Sequence, residues 1–256
     1  MVRRRPVDRL VKLTGTGKAE VPSKAKLKQI LWMASRGNLG KRNVCLVWFL
    51  FGSGMRITET CYLTIGDILY PNGELKKTFT IKGKYTKTDS SRVAFILAKR
   101  HREAVELWLD EMLQGKAWCT GDDSKYRGLT KTKPVFPTRR GKTWKSLEFQ
   151  LKKYKDKNGD DLTTYVCSSM QNLISKIFKD SGLHGGSTHS GRRYLATMLD
   201  DQDVELKVIQ GILGHASEDM TLEYIDPNEA RIKQAFDKSF SGIVLPDFIS
   251  IKTNEA

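Results

Sequence analysis

The apolar positions along the chain change their period several times, and each change marks an expected element. Residues 1–22 are weakly patterned and end at Pro22, which predicts a flexible arm. Between Lys24 and Ala34, Leu27, Ile30 and Leu31 recur at helical spacing, with Met33 close by. Val44 to Phe51 is apolar throughout except for Cys45, and length alone does not separate a buried helix from a buried strand there. Basic residues before this run and Gly52-Ser53-Gly54 after it favour a helix with a glycine stop. Ile57 to Leu63 continues as a second short helix. Lys77 to Ile81 and Arg92 to Leu97 read as two strands joined by a polar, glycine-containing turn.

Arg100 to Leu113 is amphipathic, with Ala104, Leu107, Trp108 and Leu109 expected towards the core. Gly115 to Lys142 reads as a long basic loop, a kind of insertion that is usually functional or disordered. Leu162 to Lys179 is expected to be helical, with Val166, Met170, Leu173, Ile174 and Ile177 on one stripe. Three short helices follow, over His189 to Asp200, Val204 to Leu213 and Ser217 to Ile225. Gly214 is the expected C-cap of the second and Ser217 the N-cap of the third. Asp226-Pro227 then stops the chain before a last helix, Asn228 to Phe240, and a tail carrying Ile243, Val244, Leu245, Phe248 and Ile249.

Charge narrows the choice of partner. The 256 residues carry 44 Lys+Arg against 29 Asp+Glu, a net +15. The excess is uneven: residues 1–160 hold +20, of which +8 falls in 115–160, and residues 161–256 hold −5. A one-sided basic distribution fits a surface that tracks phosphates; an ordinary solvated surface mixes its signs. No uncharged stretch is long enough to span a membrane, and no apolar core follows the basic N-terminus as a secretory signal would require. Cys45, Cys61, Cys119 and Cys167 show neither metal-ligand nor disulfide spacing. They suit a reducing compartment, and the expected location is cytoplasmic and nucleoid-associated.

Three local patterns bear on chemistry. Gly54-Met55-Arg56-Ile57-Thr58-Glu59 presents an arginine at a helix start. Thr188-His189-Ser190-Gly191-Arg192-Arg193 puts His189 and Arg192 on one helical face. Leu213-Gly214-His215 is followed nine residues after the histidine by Tyr224. Each alone has a plainer reading: an Arg56–Glu59 ion pair, a capping or core histidine, a half-buried tyrosine.

In order and spacing, the three together resemble the tyrosine recombinases of the phage-integrase family, over roughly residues 23–240. The resemblance implies an α+β, mostly helical catalytic domain with a small antiparallel sheet, preceded by the 1–22 arm and followed by a 241–256 tail. It implies that Arg56 and Arg192 are the catalytic arginines, that His189 and His215 are the catalytic histidines, and that Tyr224 is the nucleophile. Glu59 and Asp67 resemble the family's supporting acids behind the first arginine. A hairpin lysine is also implied: Lys82, Lys84 and Lys87 all fall in the turn, and Lys87-Thr88 before the basic strand start at Arg92 favours Lys87.

The chemistry suits these residues. A tyrosine hydroxyl, with a reference pKa of about 10, is a weak nucleophile until its proton is drawn off. Arginines fork onto the non-bridging oxygens of a phosphorane and stay charged as charge builds. A histidine moves or donates a proton, and the lysine protonates the leaving 5′-oxygen. A 3′-phosphotyrosyl link conserves bond energy, so neither ATP nor a cofactor is needed. Agreeably, the sequence has no Walker motif and no carboxylate cluster with metal-ligand spacing.

The expected partner is therefore double-stranded DNA, bound by a homo-oligomer, a tetramer on recombination sites. Arg3, Arg4, Arg5, Lys82, Lys84, Arg139, Arg140, Lys142 and Arg193 are candidate backbone contacts. Family members usually have a helical clamp domain before the catalytic domain, and about 22 residues stand there in this sequence. That predicts a short-form enzyme or a truncated chain, with the arm and the 115–160 segment replacing the clamp. Gly191 stands where many members have leucine, which predicts weaker helix packing at that point. Arg193 replaces a common histidine and reads as a phosphate contact or an outward salt-bridge partner. The tail packs either on a neighbouring protomer or on its own core. The competing functions are a type IB topoisomerase, a non-catalytic DNA-binding protein of the same fold, and an RNA-binding protein. The filled set of catalytic positions disfavours the second, and the lack of an RNA signature the third.

Overall fold

The structure is a computed structural model describing residues 18–83, 91–155, 159, 161–215, 217–225 and 233. The compact unit described below ends at Ile225. The basic arm through residue 17, Lys84, Lys87 and, apart from Lys233, the expected 228–240 helix and the tail lie outside the described residues.

Helix α1, Lys24–Ala34, begins where the Ser23 hydroxyl accepts the Lys26 backbone N–H at 3.1 Å, and it buries Leu27, Ile30 and Ala34. The apolar run forms α2, Gly40–Gly52, whose Cys45, Leu46, Val47, Phe49, Leu50 and Phe51 are all buried. It is therefore the buried helix that its flanks favour. Two short helices follow, α3, Ile57–Cys61, and α4, Ile65–Ile68. The Asp67 carboxylate starts α4 by accepting from the Thr64 N–H at 2.9 Å and hydroxyl at 2.7 Å.

Strands β1, Thr78–Ile81, and β2, Arg92–Phe95, pair antiparallel with Thr78 opposite Phe95. Helix α5, Lys99–Gln114, packs on α2 through His101, Ala104, Val105, Trp108, Leu109 and Met112. Leu107, expected inward, is exposed: it lies at the edge of the face that buries Ala104 and Trp108.

The 115–142 segment differs most from its reading as a loop. Ala117, Leu129, Val135 and Phe136 are fully buried, and the Trp108 indole N–H donates to the Val135 carbonyl at 2.7 Å. Backbone N–H groups of Ile65, Gly66 and Val135 bond to the carbonyls of Lys133, Lys131 and Leu63. The segment is thus part of the core, with backbone polar groups satisfied by α4 and by Leu63 just before it. Only at its end does it project, as the hairpin of β3, Thr138–Arg140, and β4, Thr143–Lys145.

A third hairpin pairs β5, Gln150–Lys155, with β6, Asp161–Val166. Residues 162–166 are therefore strand, and the helix expected from Leu162 starts later, as α6, Ser168–Asp180. The β-branched and aromatic run Thr163-Thr164-Tyr165-Val166 overrides a helical stripe that is real only from Met170 onward. Each sheet among the described residues has two strands, so the single small sheet expected is three hairpins.

Helices α7, Ser190–Asp200, α8, Leu206–Leu213, and α9, Glu218–Leu222, complete the unit. Gly214 caps α8 in the left-handed region, with φ of 63°, and the Ser217 hydroxyl caps α9. Gly191 lies where α7 crosses α2. A Cβ there would stand 2.7 Å from the Leu50 backbone, so the glycine permits a closer helix approach and does not weaken it. No helix among the described residues is long and apolar enough to cross a membrane.

Candidate active site

Arg56 sits at the N-cap of α3 because the glycine turn before it breaks α2; Gly54 has φ of 57°. Glu59, one turn on, accepts from both the Arg56 N–H and the Arg56 guanidinium at 2.8 Å. Its other guanidinium partner is Arg92, whose Nη2 lies 2.7 Å from Oε2. Burial opposes the charge on Glu59, but Arg92 and then Arg56 outweigh it and hold the carboxyl below its usual range.

Arg92 is a site residue that the sequence reading did not assign. It also donates to the Ile212 carbonyl at 3.3 Å, joining β2 to both α3 and the end of α8. Its signal was parity: Arg92 shares a strand face with the buried Ala94. A Cβ on Gly214 would collide with the Arg92 side chain at 2.3 Å, so that glycine gives room for this link as well as capping the helix.

Arg192 is almost completely buried on α7. It donates to the Gly54 carbonyl at 2.6 Å and to the Leu213 carbonyl, and its Nε has no partner among the described residues. Burial and the neighbouring Arg56 and Arg92 charges lower its pKa. Its guanidinium lies 5.6 Å from the centre of the Tyr224 ring, a cation–π geometry.

The Tyr224 hydroxyl stands 3.4 Å from His189 Nδ1, and the tyrosine ring is 4.7 Å from the His215 ring. His189 occupies the N-cap of α7 and is exposed. His215 is buried, with Nδ1 2.9 Å from the Thr221 hydroxyl and Nε2 without a partner among the described residues. Burial first, then Arg192, Arg56 and Arg92, drive its pKa down to about 3. His215 is therefore neutral near pH 7.

Arg56, Glu59, His189, Arg192, His215 and Tyr224 thus come together from three stretches of sequence. Asp67 does not join them; it caps α4 and has the exposed Lys82 ammonium 3.9 Å away. Arg139, Arg140 and Lys142 stand exposed on the β3–β4 hairpin, with Arg139 over the Trp144 ring. Arg193 is buried and donates to the Ala19 carbonyl. It therefore fixes the segment before α1 and does not face outward; one residue on from Arg192, it is turned about 100° to a different face. No group of acidic, histidine and cysteine side chains among the described residues is arranged to hold a metal.

Between α3 and the β5–β6 hairpin lies a cleft of about 350 Å³, lined by Arg56, Thr58, Glu59, Thr188 and His189 on one side and by Lys152, Thr164, Val166 and Gln171 on the other.

The chain is similar to known proteins. The tyrosine recombinase XerC of Brucella suis biovar 1 (strain 1330) is 28% identical over 208 residues, covering 81% of this chain and 53% of its own length. XerC of Corynebacterium glutamicum is 25% identical over 198 residues, covering 77% and 51%. The chain spans about half the length of these curated relatives. Among solved structures, XerA recombinase superposes with a TM-score of 0.57 at 20% identity, over 90% of this chain and 68% of that one. The XerH site-specific recombinase bound to palindromic difH substrate gives 0.54 at 19%, over 87% and 54%. At such identities these likenesses speak for the fold, an α+β tyrosine recombinase catalytic fold. The phage integrase family model matches residues 23–231, and the chain belongs to that family.

Proposed function

We propose that residues 23–240 form the catalytic domain of a site-specific DNA recombinase that cleaves and rejoins strands through Tyr224. The observation that carries this reading is the Tyr224 hydroxyl 3.4 Å from His189 Nδ1, with the Arg192 guanidinium over its ring. The hydroxyl oxygen attacks the scissile phosphorus while its proton passes to His189. Arg56 and Arg192 bind the two non-bridging oxygens, and their hold strengthens as those oxygens gain charge. Glu59 fixes Arg56 without cancelling the site, because Arg92 shares the carboxylate.

His215 acts as a neutral donor. In this role Nδ1 accepts from the Thr221 hydroxyl 2.9 Å away, which also stands 3.5 Å from the Ser217 carbonyl. The ring hydrogen then resides on Nε2, a buried donor that a phosphate oxygen would satisfy. The hairpin lysine, for which the sequence favours Lys87, protonates the departing 5′-oxygen. The product is a 3′-phosphotyrosyl bond, which the 5′-hydroxyl of another strand can break in turn, without metal or ATP. Strand exchange requires two DNA partners, so the reading includes a homo-oligomer, a tetramer, assembled on double-stranded DNA.

A nicked suicide duplex, which loses its 5′-fragment after cleavage, tests this reading. Wild-type protein is expected to accumulate a covalent adduct in the presence of EDTA and without ATP. DNA binding with no adduct on any duplex containing the recognised site would refute it.

A further inference from the structure

The β5–β6 hairpin supplies one wall of the site cleft, and none of the roles above uses it. Its pairing fixes which side chains face where. Leu151 opposes Tyr165, Lys153 opposes Thr163 and Lys155 opposes Asp161 on one face; Gln150 opposes Val166 and Lys152 opposes Thr164 on the other. Lys152, Thr164 and Val166 all line the cleft that holds Arg56 and His189, so this second face is turned to the site.

The base of the hairpin is held in place. Phe149 stacks on Tyr62 at 4.0 Å and 8°, just beyond α3, and the Ser168 hydroxyl at the head of α6 donates to Gln150 at 2.7 Å. Lys152 therefore projects from a two-stranded lever fixed at its root to the element that starts with Arg56. Lys152 has no ion-pair partner among the described residues. The one carboxylate lining the cleft, Glu59, is buried between Arg56 and Arg92. What remains for a ligand is cationic on both walls, with Thr164 and Gln171 as neutral hydrogen-bonding groups on the Lys152 side.

Resting on the DNA-recombinase reading, we infer that Lys152 holds a second backbone phosphate, next along the strand from the one bound by Arg56, with Thr164 and Gln171 lining that position. Lys152 is then a positioning residue. It sets the strand's register in the cleft and does not touch the reacting atoms. A lysine suits the task because a point charge on a flexible stem accepts a phosphate in many orientations, whereas Arg56 and Arg192 must match the scissile phosphate's geometry.

The test is a methylphosphonate scan, in which a duplex carries one uncharged linkage at a time and binding is measured by titration with wild-type, Lys152→Ala and Lys152→Arg proteins. Neutralising one phosphate beside the scissile position is expected to weaken wild-type binding about tenfold. With Lys152→Ala, that position is expected to lose its penalty while the other positions keep theirs. The slope of log affinity against log salt should also fall by about 0.9, and Lys152→Arg should restore both. An unchanged interference pattern in Lys152→Ala, or an unchanged salt slope, would overturn the inference. Adduct formation on the unmodified duplex separates the two readings: binding without any adduct refutes recombination, while the scan still decides whether Lys152 grips a phosphate.

Discussion

Two regions meet at the Tyr224 hydroxyl, and they are built differently. The arginine side is continuous with the main core. Glu59 is 1% exposed between Arg56 and Arg92, Arg192 is equally buried, and α7 presses on α2 through Gly191. The tyrosine side rests on a satellite cluster in which Ala196, Ile209 and Leu213 are the buried members, with Leu195, Leu199, Val204, Tyr224 and Ile225 only partly covered. Tyr224 follows a helix of five residues. The buried charges of the arginine side are placed where any displacement breaks burial. Tyr224 is placed where few contacts need to break for it to move.

The comparison breaks most visibly at Glu59. Glu59→Ala leaves Arg92 and Arg56 as close, uncompensated charges, and a loss of about 3–5 kcal/mol of stability is expected in denaturant unfolding. A loss below about 1 kcal/mol would show that the arginine side is not built on this carboxylate. Gly191→Ala comes next. Its methyl group meets the Leu50 backbone at 2.7 Å, and overpacking of that kind is expected to cost about 1–3 kcal/mol in a thermal melt. An unchanged melting temperature would mean the helices can part freely.

Acid should act on the main core as well as on His215. His101 is fully buried between Trp48 and Phe49, neither ring nitrogen has a partner among the described residues, and burial followed by the Arg102 charge lowers its pKa to about 3. Above about pH 6.5 the imidazole is neutral in both folded and unfolded chains, and pH has no effect through it. Below that, the unfolded chain takes up a proton that the folded one refuses, so stability falls as pH falls towards 3. The expected penalty is about 2 kcal/mol at pH 5, and His101→Phe should remove it from the pH profile of unfolding. An identical profile in the variant would contradict that assignment.

The tyrosine side should give the smallest global effect and the largest local one. Thr221→Val removes the hydroxyl beside His215 at a cost of about 1 kcal/mol. Cleavage at saturating DNA should nonetheless slow at least tenfold, and amides of 206–225 should exchange faster while those of α2 do not change. Uniform acceleration across both regions would make them one cooperative unit.

The two regions were also unequally legible in the sequence. The candidate catalytic positions could be singled out from local patterns because glycine and spacing fix the backbone around them: Gly54 before Arg56, Gly214 before His215. The links between those patterns could not. Glu59 and Arg92 are 33 residues apart, and only the folded β1–β2 hairpin brings them together. Arg193 looked like an outward charge until the segment around Ala19 closed over it. The β5–β6 hairpin went unread because β5 was assigned to no element and the apolar residues of β6 run in helical phase into α6. The same ambiguity hid Lys152, whose direction depends on strand pairing.

The central claim is that the short segment after α9 delivers the nucleophile. Protease digestion and mass mapping of the covalent adduct from a suicide duplex test it directly. The account predicts a 3′-phosphonucleotide on the peptide containing Tyr224, and none with Tyr224→Phe under conditions where that variant still binds DNA. An adduct mapped to another residue, or one that persists in Tyr224→Phe, would contradict it.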